Sequence, residues 1–203
     1  MKLKIYTTIF VILVLTVIVV IGLIVIKYSK SYMNEQKAKN VIEVFSTSSA
    51  IIENGEVIQE KNVMMDGYKV IGIVRIPKID IEYPILDIET YNPEETAEPM
   101  KISIVKYWGG NVNDYGNLSI AGHNKYDGTM FGKTRKLDIG DIVELTDLKD
   151  NTIEYQIYDK FVTDPNDVTI LKTKDDTLRE VTLITCTNGN KNRLILKARE
   201  ILD

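Results

Sequence analysis

A β-hairpin is predicted by the stretch Val181-Thr-Leu-Ile-Thr-Cys186 and by Arg193-Leu-Ile-Leu196, which follows it after six residues. Both runs are rich in β-branched and large apolar residues, and Asn188-Gly-Asn190 between them is typical of a turn. If the two strands pair around this turn, Cys186 and Arg193 lie opposite each other with Cβ atoms about 5 Å apart. The hairpin then holds a thiol beside a permanent cation.

Further strands are predicted upstream, where apolar and β-branched runs alternate with turn signals. They cover residues 70–76, 79–86, 116–121, 141–146 and 152–158. Pro84 interrupts the second of these runs, which indicates an edge or a bend. One or two short helices are expected between residues 94 and 106. With the hairpin this makes a mainly β domain, and the number and spacing of the strands favour a closed or nearly closed β-barrel.

The N-terminus carries a different signal. Residues 7–26 are twenty uncharged residues dominated by Ile, Val and Leu. At about 1.5 Å per residue they span a hydrocarbon core of roughly 30 Å as one helix. Lys27-Tyr-Ser-Lys30 follows without a small-residue cleavage site, so we interpret the run as an uncleaved membrane anchor rather than a signal peptide. Residues 1–6 precede it as a cytoplasmic N-terminus.

The lysines around this span do not settle its orientation. Lys2 and Lys4 precede it, whereas four lysines follow it at positions 27, 30, 37 and 39, which alone favours a cytoplasmic C-terminus. Residues 27–67 are predicted as a juxtamembrane linker before a domain at 68–203. A short helix is expected around 35–45, with its apolar side formed by Val41, Ile42, Val44 and Phe45. The segment is interpreted as a spacer or, alternatively, as an element that packs on the domain and regulates it.

Composition argues against a nucleic-acid partner and against a zinc site. The chain has 203 residues and a net charge of −4, whereas a nucleic-acid partner requires a basic surface. It contains one cysteine and one histidine, so no zinc-binding spacing exists.

Cys186 and the single histidine, His123 in Ser119-Ile-Ala-Gly-His-Asn124, are the candidate reactive groups. Taken singly, such a cysteine is usually a small core residue, and a lone histidine or strand arginine is usually structural or solvated. Outside the cytoplasm, however, one cysteine forms no disulfide and is open to oxidation. A nucleophile, a titratable base and a cation together favour acyl transfer through a thioester.

Three segments resemble the signatures of the sortase family: Thr182-Leu-Ile-Thr-Cys186, Arg193-Leu-Ile-Leu196 and Gly116-Asn-Leu-Ser-Ile-Ala-Gly-His123. Two more segments are similar to the family, Ile71-Gly-Ile-Val-Arg-Ile-Pro-Lys-Ile-Asp80 and the region from Met130-Phe131 to Gly140-Asp141. The resemblance extends over about residues 68–199 and includes the N-terminal anchor.

The resemblance implies a membrane-anchored cysteine transpeptidase of Gram-positive bacteria with a barrel of about eight strands. It also implies a single-pass protein whose catalytic domain is extracytoplasmic, in spite of the lysine count. Sortases cleave C-terminal sorting signals such as Leu-Pro-x-Thr-Gly between Thr and Gly, and transfer the surface protein to an amine of a peptidoglycan precursor or a pilin. The short gap between Cys186 and Arg193 is most similar to class D, while His123-Asn124 and Gly128-Thr-Met-Phe131 resemble class B.

Roles for four residues follow from the resemblance. Cys186 would attack the Thr carbonyl, Arg193 would donate hydrogen bonds to the oxyanion, and His123 would act as general acid and base. Thr185, beside the nucleophile, is a supporting candidate. Strand alternation turns its side chain away from the Cys186 face, so its role would be through the backbone.

Other interpretations remain open at the level of sequence. Papain-like hydrolases place the cysteine before the histidine, which is the reverse of the order here. An L,D-transpeptidase would carry a Ser-x-Gly-Cys motif, which is absent. Another extracytoplasmic thiol peptidase and a non-catalytic membrane-tethered β-domain are the remaining alternatives.

The chemistry requires no cofactor. Calcium stimulation occurs in some sortases, but the acidic loop with Asp164, Asp167, Asp175 and Asp176 is interpreted as solvated rather than as a metal site.

Overall fold

The structure, a computed structural model, describes residues 2–48, 51–53, 56–59, 61–88, 93–173 and 175–202. It divides into two compact units, residues 1–37 and 38–203. Helix α1 (Lys2–Thr47) provides the described residues of the first unit, and its last residues, from 38 on, belong to the second. The predicted linker, 27–67, includes residues 49, 50, 54, 55 and 60, which lie outside the described residues.

The first unit contains the predicted anchor. The large apolar side chains of residues 7–26 are exposed along α1, as expected for a helix whose surroundings are not protein. Among the described residues, α1 is the one helix that is long and apolar enough to cross a membrane. Residues 35–45 are helical, as expected, but they continue α1 and do not form a separate short helix.

Eleven strands and a second helix follow in the described residues. Their bounds are β1 (Ile51–Glu53), β2 (Glu56–Gln59), β3 (Met64–Met65), β4 (Tyr68–Ile76), β5 (Ile81–Leu86), α2 (Pro93–Met100), β6 (Ile104–Trp108), β7 (Gly116–Ala121), β8 (Ile142–Asp147), β9 (Thr152–Thr163), β10 (Arg179–Thr187) and β11 (Asn192–Glu200). Short 3-10 helices cover Pro77–Ile79, Thr134–Lys136 and Val168–Leu171.

Eight of the described strands close into a barrel, which confirms the predicted fold class. The strand order is β4-β5-β6-β7-β10-β11-β9-β8, and β8 pairs back with β4. The β5–β6 and β7–β10 pairs are parallel and the other pairs of the ring are antiparallel. Closure leaves no open edge in this ring, and β3 adds only a two-residue ladder to β4.

The barrel interior is apolar and contains side chains from all eight strands. Its fully buried members include Ile76, Ile85, Ile120, Leu145 and Leu196. Pro84 lies within β5 opposite Ile73, and β6 pairs only with Ile85 and Leu86, after the proline. Strand β5 is thus not an edge strand, but Pro84, which has no N–H to donate, lies outside its ladder with β6.

One strand was not predicted, and another is longer than predicted. The one or two short helices expected between residues 94 and 106 are one helix, α2, which ends at Met100, and the unpredicted strand β6 begins at Ile104. Trp108 and its neighbours pair with β7, so long-range strand pairing outweighs the local pattern. The described part of the β9–β10 connection contains one 3-10 turn, and β9 is longer than predicted, reaching Thr163.

The C-terminal turns of α1 pack on the barrel. Ala38 and Phe45 are each 1% exposed, and Val41 and Ile42 pack beside them. Positions 38, 41, 42 and 45 form one helical stripe, so the prediction that Val44 shares the apolar side is wrong. Val44 is 53% exposed because it lies beside this stripe.

A buried lysine fastens the same helix end. The ammonium of Lys61 donates to the carbonyl of Phe45 at 2.6 Å and to the carboxylate of Asp150 in the β8–β9 turn. It also lies 4.4 Å from the centroid of the Phe45 ring. The cation thus stabilises the Phe45 carbonyl at the C-terminal end of the helix and ties it to the barrel. Residues 38–47 are therefore part of the folded domain.

Candidate active site

Cys186 and Arg193 lie directly opposite each other in the antiparallel ladder of β10 and β11, as the sequence predicts. The carbonyls of Ile184 and Cys186 both accept hydrogen bonds from the β7 side, from Gly122 N at 3.1 Å and Asn124 Nδ2 at 2.8 Å. Cys186 therefore turns its main-chain groups toward β7 and away from β11. In such a non-hydrogen-bonded pair the Cα atoms are about 4.5 Å apart, and the side chains are close.

His123 reaches the same place from the other side of β10. Strand β7 runs parallel to β10, with Ala121 paired to Ile184. His123 is two residues beyond Ala121, as Cys186 is two residues beyond Ile184, so the two are level in the register. Because the strand order is β7-β10-β11, the histidine, the cysteine and the arginine lie on three neighbouring segments of the chain, with the cysteine in the middle.

The loop after His123 folds back tightly on its own start. Phe131 N donates to the carbonyl of His123 at 3.1 Å, and Asn124 forms a bridge with Met130. Gly122 is required at the turn into this loop, since a Cβ there would lie 2.9 Å from the Phe131 ring and 3.2 Å from Ile104. The backbone around the histidine is thus held by packing and by hydrogen bonds.

Thr185 joins the cysteine strand to the histidine strand. Its side chain is buried, and Oγ1 donates to the carbonyl of Gly122 at 2.7 Å. The side chain does point away from the Cys186 face, as alternation predicts. Its contact is made by the hydroxyl, however, whereas the sequence suggested a role through the backbone.

Asn124 makes the second side-chain link between the same two strands, and sequence reasoning did not single it out. Its amide donates to the carbonyl of the cysteine itself. The signal in the sequence was its position directly after the only histidine, in a segment that already resembled a family motif.

Arg193 is half-buried at the start of β11. Its Nη1 donates to the carbonyls of Asn190 and Asn192, at 3.2 and 3.3 Å. These bonds hold the guanidinium against the hairpin loop, and Arg193 itself is the cross-strand partner of Cys186. A planar guanidinium with five N–H donors can engage such carbonyls and still present donors to an oxyanion.

Burial and nearby positive charge favour the neutral form of His123. Burial lowers the pKa of His123 from its ordinary value of 6.5, and the positive charges of Lys125 and Lys101 lower it further. A neutral imidazole accepts a proton from a thiol or an amine. Cys186 is half-buried and carries a free thiol, so it is accessible to a reacting group.

The acidic loop between β9 and β10 is organised by its own hydrogen bonds. Asp164 accepts from Asn166 N, Asp167 from Thr169 N and Asp175 from Thr177 N, each at 2.9 Å. Within the described residues no group of three His, Cys, Asp or Glu side chains is arranged to hold a metal ion. The interpretation of this loop as solvated stays a prediction.

Comparison with known proteins gives a consistent result. The model of the sortase domain matches residues 74–201. Sortase A of Bacillus anthracis is 27% identical over 142 residues, which cover 70% of this chain and 63% of that protein. Sortase A of Listeria monocytogenes is 30% identical over 119 residues, which cover 58% of this chain and 49% of that protein. The chain thus spans between about half and two thirds of the length of these curated relatives.

A solved structure is similar over a longer stretch. The Sortase D5 transpeptidase of Clostridium perfringens superimposes with a TM-score of 0.60 and 26% identity, covering 83% of this chain and 98% of that one. The matched family segment, 74–201, includes the cysteine, the histidine and the arginine of the candidate site together with seven complete strands of the barrel. On this ground the chain belongs to the sortase family.

Proposed function

We propose that the protein is a membrane-anchored cysteine transpeptidase that cleaves a sorting signal similar to Leu-Pro-x-Thr-Gly between Thr and Gly. The observation that carries the proposal is the strand register, in which Cys186 on β10 lies between Arg193 on β11 and His123, two residues beyond the end of β7. A thiol, a base and a hydrogen-bond donor are the groups that acyl transfer through a thioester requires.

The first half-reaction forms the acyl-enzyme. The thiolate of Cys186 attacks the Thr carbonyl carbon, and the tetrahedral oxyanion accepts hydrogen bonds from Arg193. Protonated His123 gives its proton to the departing Gly nitrogen as the carbon–nitrogen bond breaks. The products are a thioester on Cys186 and a free C-terminal fragment.

The second half-reaction reverses the roles of the groups. An acceptor amine from a peptidoglycan precursor or a pilin attacks the thioester carbonyl, and neutral His123 removes a proton from the amine. The carbon–sulfur bond then breaks, which regenerates the thiolate and leaves a new amide bond. All the groups come from the chain itself, so we propose no cofactor.

The class and the topology are also proposed. A six-residue gap between Cys186 and Arg193 and the similarity to a Sortase D5 over nearly that whole structure support class D. The apolar helix supports a single-pass anchor, with the catalytic domain on the extracytoplasmic side, where sorting signals and acceptor amines occur. Surface proteins with such C-terminal signals are the proposed substrates.

The proposal is tested with the full-length protein in detergent and a fluorogenic library of Leu-Pro-x-Thr-Gly peptides, with and without an amine acceptor. We expect cleavage between Thr and Gly and an amine-dependent ligation product. Cys186→Ala should abolish both, whereas exposed Thr152→Val should leave both unchanged. Full activity of Cys186→Ala would overturn the reaction, and full activity of both His123→Ala and Arg193→Ala would overturn the assigned roles.

A further inference from the structure

We infer that Asn124 is a positioning residue for this reaction, an inference that rests on the proposed function. Its side-chain amide donates to the carbonyl of Cys186 at 2.8 Å, a part-buried bond between residues 62 positions apart in sequence. Asn124 also follows His123 directly. One side chain therefore connects the histidine segment to the main chain of the cysteine.

The register explains why a side chain is required at this point. The last backbone bond of the parallel β7–β10 pair runs from Gly122 N to the carbonyl of Ile184, at 3.1 Å. In a continuing strand, the next bond on this side would join the amide of residue 124 to the carbonyl of Cys186. Instead the chain turns away into the loop that closes between His123 and Phe131. The side-chain amide of Asn124 takes the place of this missing backbone donor.

His123 is therefore bracketed by bonds to one strand. Before it, Gly122 donates to Ile184 and accepts from Thr185, and after it, Asn124 donates to Cys186. Loss of the last bond would leave the loop fastened to β10 on one side only. The distance between imidazole and thiol would then vary more, and misplacement of a reacting group by about 1 Å can cost 10²-fold in rate.

The residue type fits this role. A carbonyl accepts but never donates, so the partner must carry an N–H or O–H group. Aspartate has almost the shape of asparagine but offers no donor when ionised, and it would place a negative charge against the carbonyl oxygen. Alanine removes the donor without adding charge. These two substitutions separate loss of the bond from repulsion.

The test compares Asn124→Ala and Asn124→Asp with Asn62→Ala and Asn62→Asp, since Asn62 is exposed and lies outside the elements of the site. Steady-state cleavage of a sorting-signal peptide gives kcat and KM, and hydrogen–deuterium exchange reports the amides of residues 122–131. We expect kcat to fall about tenfold in Asn124→Ala and further in Asn124→Asp, as for loss of one hydrogen bond and looser alignment. KM should stay within about twofold, and the Gly122 and Phe131 amides should exchange several times faster.

Two results would overturn the inference. One is a kcat for Asn124→Ala equal to that of Asn62→Ala, and the other is a lower kcat with unchanged exchange in residues 122–131. Thermal unfolding of each variant identifies a general loss of fold, which would also count against a local role. If the wild-type protein cleaves no peptide, the proposed function fails, and amide exchange alone decides whether Asn124 positions the loop.

Discussion

The hydroxyl of Thr185 donates a 2.7 Å hydrogen bond to the carbonyl of Gly122, and so fastens the cysteine strand to the residue that precedes His123. Thr185→Val keeps the shape of the side chain but leaves this carbonyl without its buried donor. We expect the free energy of unfolding to fall by about 1–3 kcal/mol and turnover to fall with it. Denaturant titration followed by the fluorescence of Trp108, the only tryptophan, measures the change.

The matched control is Thr152→Val, at an exposed position of β9 where the hydroxyl shares a solvent-exposed hydrogen bond of 2.8 Å with that of Thr146. A surface substitution of this kind changes stability by about 0.5 kcal/mol or less. If Thr185→Val changes stability no more than Thr152→Val, the link between the two strands carries no energetic weight.

The surroundings of His123 lead to a prediction about its pKa. Burial, Lys125 and Lys101 lower the pKa of His123 below 6.5, so Lys125→Gln should move it upward. The chain has one histidine, so its imidazole gives a single resonance whose titration by NMR reads this pKa directly. Lys149→Gln, at an exposed lysine in the β8–β9 turn, should leave the midpoint unchanged.

The lowered pKa of His123 also predicts how the free energy of unfolding depends on pH. Because the pKa of His123 is lower in the folded chain, the unfolded chain binds the proton more readily. The free energy of unfolding therefore decreases as pH falls through about 6.5 toward the folded value, and this penalty is absent above that range. A titration midpoint at or above 6.5 in the wild-type protein would contradict the electrostatic description.

Arg193 is predicted to act through its geometry as well as its charge. Arg193→Lys keeps a cation at the cross-strand position of Cys186 but removes the planar fork. We expect kcat to fall about 10²-fold, as for loss of an oxyanion donor, with a smaller change in KM. Arg75→Lys, on β4 with a half-exposed side chain paired to Glu144, is the control. Turnover of Arg193→Lys within about threefold of the wild type would exclude a specific role of the guanidinium.

The contacts of Phe45 predict that the end of α1 contributes to the stability of the barrel domain. Phe45→Ala removes a side chain that is 1% exposed, and we expect a loss of about 3 kcal/mol or more. Val44→Ala, at the neighbouring position, is 53% exposed and should have little effect. Thermal unfolding of the full-length protein in detergent compares the two. Equal melting temperatures would show that this segment is only a spacer.

The sequence was most informative where pattern and turn chemistry agree. The β10–β11 hairpin was predicted with its register because both strands are β-rich, the turn contains Asn188-Gly-Asn190, and pairing fixes Cys186 opposite Arg193. The fold class followed from strand number and spacing. The family resemblance supplied the eight-strand count and brought His123 into the same site.

Other features depend on contacts that no local pattern carries. Strand β6 begins four residues after α2 ends, without an intervening glycine or proline, and it forms because β7 and β5 are available to pair with it. The bond of Asn124 depends on where β7 leaves β10. The burial of Ala38 depends on the barrel surface beneath α1. These are tertiary effects, which the local sequence does not encode.

The most direct test of the central role of Cys186 is intact-protein mass spectrometry of the full-length protein mixed with a Leu-Pro-x-Thr-Gly peptide and quenched in acid within the first turnovers. The wild-type protein should gain the mass of the substrate fragment that ends in Thr, and proteolytic digestion should locate this adduct on the enzyme fragment that contains Cys186. An added amine should remove the adduct as the ligation product forms. Cys186→Ala should show no adduct. Cleavage of the peptide by the wild-type protein without any adduct on Cys186, or undiminished cleavage by Cys186→Ala, would contradict a thioester mechanism at this residue.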